Sequence, residues 1–240
     1  MALTPQEIAG MLDHSVLQPW LTEEDIRSGC RLALKYQTAS VCARPCDVPV
    51  LKEMLEGSPV RVCTVIGFPH GAHTTAVKAA EAQEALAAGC RELDMVINIG
   101  KLRGGDEGYV GAEIRRLAEI AHGGGAILKV ILETCCLTDG EKVLACRLSE
   151  EAGADFVKTS TGYGSAGYRA EDVRLMRASV SDRVRVKASG GLRTLDAVLE
   201  ARAAGADRCG VSATEKIMEE ALARYARGEL KEAESPAFTK

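Results

Sequence analysis

Eight times along the chain a short run of β-branched and other apolar residues gives way to a polar, glycine-bearing loop and then to a stretch with apolar positions three and four apart. The short runs, at 12–17, 39–43, 60–67, 92–98, 127–133, 156–159, 184–188 and 208–212, read as buried strands. The stretches between them, at 23–36, 47–55, 74–88, 107–122, 139–152, 170–180, 194–204 and 213–227, read as amphipathic helices. Gly57, Gly89, Gly153 and Gly205 fall just past the last periodic residue, where a helix ends in a left-handed residue. Strands that alternate with helices must run parallel. Eight units of about 30 residues predict a (β/α)8 barrel of the TIM type, α/β in class and a single domain over 1–240. Residues 1–10 read as a helical lead-in and 228–240 as a polar, flexible tail. A doubly wound open sheet is the alternative, but no Gly-x-Gly-x-x-Gly follows the first strand.

Parity within the strands sharpens this picture, because alternate residues of a barrel strand face the interior. If Leu93, Met95 and Ile97 pack on helices, then Glu92, Asp94 and Val96 point inward. The same logic turns Lys129, Glu133, Lys158, Arg185 and Lys187 inward. Four neighbouring strands therefore aim charge into one interior. Glu92, Lys129 and Arg185, early in their strands, suit a salt-bridged floor. Asp94, Lys158 and Lys187, nearer the C-terminal ends, suit a working site.

Composition narrows the function. A formal net charge of −4 in 240 residues offers no basic field for nucleic acid or an anionic membrane. The start has no basic-then-apolar leader and no stretch approaches the ~18–20 apolar residues of a membrane span, so a soluble cytoplasmic protein with small-molecule partners is expected. Nine cysteines, mostly within apolar runs, read as packed thiols. Cys135-Cys136 and Cys42 with Cys46 are read the same way. His70 and His73 lack a completing carboxylate or cysteine, so no metal is expected. Trp20 and Tyr168 stand as aromatics on loops, suited to covering a mouth or to a contact in a homo-oligomer, dimer or tetramer.

The candidate chemistry centres on Phe156-Val157-Lys158-Thr159-Ser160-Thr161-Gly162. A lysine ending a buried strand either snorkels to water or serves as an amine nucleophile. A second ammonium favours the nucleophile: Lys187 about 5 Å away, at an effective dielectric near 20, repels Lys158 by roughly 3 kcal/mol and so lowers the cost of the free amine. Such an amine forms a Schiff base with a carbonyl, and Asp94 can then move protons. Thr159 and Thr161 can orient substrate or water. Gly162, Gly190, Gly191 and Ser212, on late loops and before the last helix, form a candidate phosphate seat. Ser212 with Glu215 also fits a capping box, which needs no ligand.

These segments, with Asp13-His14-Ser15-Val16-Leu17, Ser40-Val41-Cys42, Val65 to Gly71, Glu92 to Asn98, Leu128 to Thr134 and Val186-Lys187-Ala188-Ser189-Gly190-Gly191, resemble the deoxyribose-phosphate aldolases, class I Schiff-base enzymes. The resemblance implies that Lys158 forms the Schiff base, Lys187 depresses its pKa and shares in proton transfer, Asp94 transfers protons and Cys42 lines the pocket. It also implies reversible cleavage of 2-deoxy-D-ribose 5-phosphate to acetaldehyde and D-glyceraldehyde 3-phosphate without metal or organic cofactor. The chain departs from many relatives at Ser15, Val16 and Gln18, which removes a cation near the mouth, and at Thr214-Glu215-Lys216, which sets a carboxylate near the phosphate seat. A related aldolase acting on another sugar phosphate or an unphosphorylated aldehyde, or an inactive sugar-phosphate-binding barrel, are the competing readings. Some members use a C-terminal tyrosine, whereas this chain ends Ala237-Phe238-Thr239-Lys240.

Overall fold

Most strands start where a helix has stopped on a left-handed glycine: Gly89, Gly153 and Gly205 have φ of 106°, 89° and 106°, a conformation open to glycine at little cost. In the computed structural model, which describes residues 2–233, eight such strands close into a parallel barrel in chain order. They are β1 (Leu12–Val16), β2 (Ser40–Ala43), β3 (Arg61–Ile66), β4 (Glu92–Val96), β5 (Ile127–Ile131), β6 (Phe156–Lys158), β7 (Arg185–Ser189) and β8 (Arg208–Val211). The helices are α1 (Pro5–Ala9), α2 (Glu23–Tyr36), α3 (Val48–Leu55), α4 (Thr75–Ala87), α5 (Ile99–Arg103), α6 (Glu107–Gly123), α7 (Asp139–Glu151), α8 (Ala170–Ala178), α9 (Leu195–Ala203) and α10 (Thr214–Ala226). None among the described residues is long and apolar enough to cross a membrane.

The parity holds. Leu93, Met95, Leu128, Val130, Val157 and Val186 join the helices in one apolar core, the main source of folding free energy. The opposite faces carry Asp94, Lys129, Lys158 and Lys187, all buried. Registers Asp94 to Lys129 and Lys158 to Lys187 put these side chains at matching heights.

Three expectations need correction. β3 and β5 end before residues 67 and 133, because Gly67 and Glu133 turn left-handed at φ of 63° and 57°. The short α5 was hidden in a polar loop, where the Asn98 side chain accepts from the Lys101 N–H and caps it. The tail does not begin at Gly228: Leu230 is buried, its carbonyl accepts from the Leu3 N–H at 3.0 Å, and Lys231 pairs with Ala2. Leu230 supplies the apolar anchor that the polar composition around it obscured. Residues 234–240, including the C-terminal stretch considered for a tyrosine, lie outside the described residues.

His14 faces outward from β1, where its ring meets Gly29 of α2, and Nδ1 hydrogen bonds to Thr214 Oγ1 at 2.9 Å. It thereby ties the start of α10 to the barrel. Burial lowers its pKa to about 4. The folded value lies below that of an unfolded histidine, so between about pH 6.5 and 4 only the unfolded chain takes up the proton. Stability should fall by about 3 kcal/mol as pH drops through that window, and His14→Gln should flatten that part of the profile in urea unfolding.

Candidate active site

The inward charges do not sit in separate pairs. Asp94, fully buried on β4, accepts from Lys129 Nζ at 2.8 Å through one oxygen. Its other oxygen accepts from Lys158 Nζ and Lys187 Nζ, each at 2.7 Å. Asp13 on β1 lies 2.5 Å from Lys187 and pairs through its other oxygen with Arg208, while Ser40 donates to it at 2.7 Å. Below, Glu92 binds Lys129 at 2.6 Å and Arg208 at 3.0 Å. One ionic ladder thus runs from the N-terminal mouth of the barrel to Lys158.

Electrostatics fixes its charge states. Burial alone would raise the pKa of Asp94, but Lys129, Lys158 and Lys187 outweigh burial and hold it well below the usual carboxylate range. Burial alone would push Lys187 down, yet Asp13 and Asp94 lift it above an ordinary lysine. Repulsion between Lys187 and Lys158 is therefore not the whole story. A carboxylate oxygen stands between their nitrogens, which caps the separation at twice 2.7 Å and offsets part of the repulsion.

A cavity of about 150 Å³ opens above the ladder at the C-terminal ends of the strands, and Lys158, Lys187, Cys42, Thr161, Gly162, Gly190, Gly191 and Ser212 all line it. Thr159 does not. It is fully buried, its hydroxyl donates to Ser189 O at 3.1 Å and accepts from Ser189 N at 3.0 Å, and it stitches β6 to β7 instead of meeting substrate. Thr161 is held from below by Glu133, which accepts its N–H at 3.3 Å and its hydroxyl at closer range. That contact fixes the loop after Lys158. Gly162, Gly190 and Gly191 have φ of 86°, 90° and 87°, and a Cβ on Gly190 would come within 2.9 Å of Gly167 Cα.

Ser212 and Glu215 form no capping box, since Ala213 is the N-cap of α10 with no side-chain cap bond. Thr214 is buried against His14, and Glu215 lies 3.6 Å from Lys35 of α2, outside the cavity lining. The carboxylate expected to trouble the phosphate seat is paired elsewhere. Among the lining residues that escaped sequence reasoning, two stand out. Arg193, two residues past Gly191, restores a cation to the mouth. Tyr163 donates to Leu17 O at 2.9 Å, lies 3.3 Å from Gln18 Oε1, and meets Phe68 edge-on at 5.4 Å, so it clasps three loops together. The Gly-Gly-Leu-Arg spacing was the signal for Arg193, whereas Tyr163 had none. Trp20 and Tyr168 are not part of the lining.

Cys42, Cys63 and Asp94 bring two thiols and a carboxylate within 4.8 Å of one another. A hydrogen bond from Cys63 lowers the pKa of Cys42. Three lysines already occupy Asp94 and would repel a cation there. His73 lies 3.2 Å from Glu81, and neither it nor His70 joins a group of three such ligands among the described residues.

Residues 8–219 match the sequence profile described as "DeoC/LacD family aldolase". The chain is 50% identical over 214 residues to a deoxyribose-phosphate aldolase of Caldanaerobacter subterraneus subsp. tengcongensis, covering 89% of this chain and 93% of that protein. It is 47% identical over 215 residues to one of Rhodopirellula baltica, covering 90% and 89%. The solved structure described as "Unique tetrameric structure of deoxyribose phosphate aldolase from Aeropyrum pernix" superposes with a TM-score of 0.85 at 35% identity, covering 90% of this chain and 92% of that one.

Proposed function

Because the chain belongs to the DeoC/LacD family of aldolases, we propose that it cleaves 2-deoxy-D-ribose 5-phosphate reversibly to acetaldehyde and D-glyceraldehyde 3-phosphate through a Schiff base on Lys158. The observation that carries the assignment to Lys158 is its place in the ladder. Among the described residues, four cations (Lys129, Lys158, Lys187, Arg208) face three carboxylates (Asp13, Glu92, Asp94) in one connected set. Removal of one proton leaves the set neutral. Lys129 and Lys187 each meet more than one carboxylate, whereas Lys158 meets Asp94 alone and opens onto the cavity.

The freed amine attacks C1 of the open-chain sugar, and loss of water gives the iminium. The C3 hydroxyl gives up its proton, the C2–C3 bond breaks, and its electron pair passes into the iminium to leave an enamine. D-glyceraldehyde 3-phosphate departs. Protonation of the enamine at C2 and uptake of one water then release acetaldehyde and the lysine. Asp94 acts as proton acceptor in this scheme and Lys187 as its partner in transfer. Thr161 positions substrate, and Cys42 walls the site. The phosphate is assigned to Gly162, Gly190, Gly191 and Ser212, with Arg193 and the first turn of α10 adding positive charge.

Production of D-glyceraldehyde 3-phosphate from the phosphorylated sugar, followed through a coupled dehydrogenase, tests the reading. Plain deoxyribose should be cleaved far less efficiently, and Arg193→Ser should narrow that gap by about tenfold, the worth of one charge-assisted hydrogen bond. Equal rates on both sugars would favour a different substrate, and no cleavage of either would sink the aldolase. The protein is read as cytoplasmic. Trp20, 73% exposed, with Leu222 and Tyr225, offers apolar surface for a homo-oligomer.

A further inference from the structure

At the opposite end of the barrel from Lys158, a second concavity of about 350 Å³ is lined by Arg61, Arg91, Arg185, Arg208 and Glu92. Arg61, Arg185 and Arg208 are the first residues of β3, β7 and β8, and Arg91 immediately precedes β4, so barrel closure itself gathers four guanidiniums around one opening. The lining contains a single carboxylate, Glu92, which is already bound to Lys129 at 2.6 Å and to Arg208 at 3.0 Å. Among the described residues Arg61 and Arg185 form no ion pair, and Arg91 donates only to the Cys90 carbonyl. The Arg185 guanidinium carbon instead sits over Phe156, 4.1 Å from the ring centroid, a contact that favours keeping the fork at the rim. Like charges gathered without counter-charge disfavour the closed barrel, and the catalytic scheme uses none of these three side chains.

We propose that this floor is a binding site for a small polyanion bearing two or more phosphate groups, distinct from the substrate phosphate seat. The volume falls at the lower end of the range for small-ligand sites. Guanidinium forks match phosphate oxygens two by two, and several forks around one opening select a multiply charged anion over a single phosphate. Arg208 belongs both to this floor and, through Asp13, to the ladder that ends at Lys158, so an anion here abuts the charge set that governs the amine.

Calorimetric titration with inorganic pyrophosphate tests the site. Wild type should bind it with an affinity that weakens as sodium chloride is raised. Arg61→Ser combined with Arg185→Ser should weaken binding by about tenfold or more while retro-aldol turnover stays at the wild-type level, which also shows that the fold is intact. Arg61→Ser alone, at an exposed side chain, should give a smaller loss in the same direction. Arg193→Ser, in the substrate pocket, should leave pyrophosphate binding unchanged. Absence of binding to wild type, binding unchanged in the double variant, or binding lost in Arg193→Ser would each overturn the proposal.

Discussion

Incubation of the protein with acetaldehyde and borohydride should leave an ethyl group on Lys158, and Lys158→Leu should take up none while its retro-aldol rate falls by roughly 10⁴-fold or more. The size follows from the loss of the covalent route itself, since neither Asp94 nor the proposed phosphate seat can supply an electron sink. Leucine is close in size, and Lys158 meets only Asp94, which keeps Lys129 and Lys187 as partners, so the fold should tolerate the change. The unfolding midpoint should stay near that of wild type. Mass mapping of the reduced adduct is decisive: an ethyl group on Lys187, which lines the same cavity, would transfer the nucleophile's role to it.

The largest loss of stability should come from Lys129→Met. Lys129 is fully buried and its amine is shared by Glu92 at 2.6 Å and Asp94 at 2.8 Å, with Asp13 at 3.8 Å. Methionine fills similar volume, so the cost is one of charge and not of packing. Removal of one partner from a buried ionic set costs about 3–5 kcal/mol, which for a chain of this length corresponds to a fall of about 10 °C in Tm. Glu92→Gln combined with Lys129→Met should recover part of that loss, because the second change removes one of the stranded carboxylates. A Tm unchanged in Lys129→Met would mean that the floor of the ladder does not bear on folding.

Strand parity made the inward ring of charge legible, because Leu93, Met95, Val157 and Val186 had to leave their neighbours facing the other way. The same test applied to β1 and β8 turns Asp13 and Arg208 inward as well, although the Asp13 segment carries the family resemblance without naming a role for that carboxylate. Their partners stand 174 and 195 residues away, at Lys187 and Asp13, and no local spacing announces contacts of that range. Thr159 misled because a hydroxyl beside a strand-end lysine satisfies either a ligand or a neighbouring backbone, and only the β6–β7 register decides which. The Ser212 and Glu215 capping box failed for a tertiary reason: Thr214 is drawn to His14, and the helix starts one residue later than the motif requires. Tyr163 and Arg193 lie on loops whose convergence is a property of the closed barrel.

The ladder also constrains how the chain can assemble. Asp94 of β4 finds its cationic partners on β5, β6 and β7, and Asp13 of β1 finds its own on β5, β7 and β8. A half-barrel ending after β4 would carry Asp13, Glu92 and Asp94 with no cation from the second half, and burying those carboxylates alone is prohibitive. Stable intermediates that resemble half of the final fold are thereby disfavoured. The charges gathered around Lys158 also make closure of the ring a concerted event.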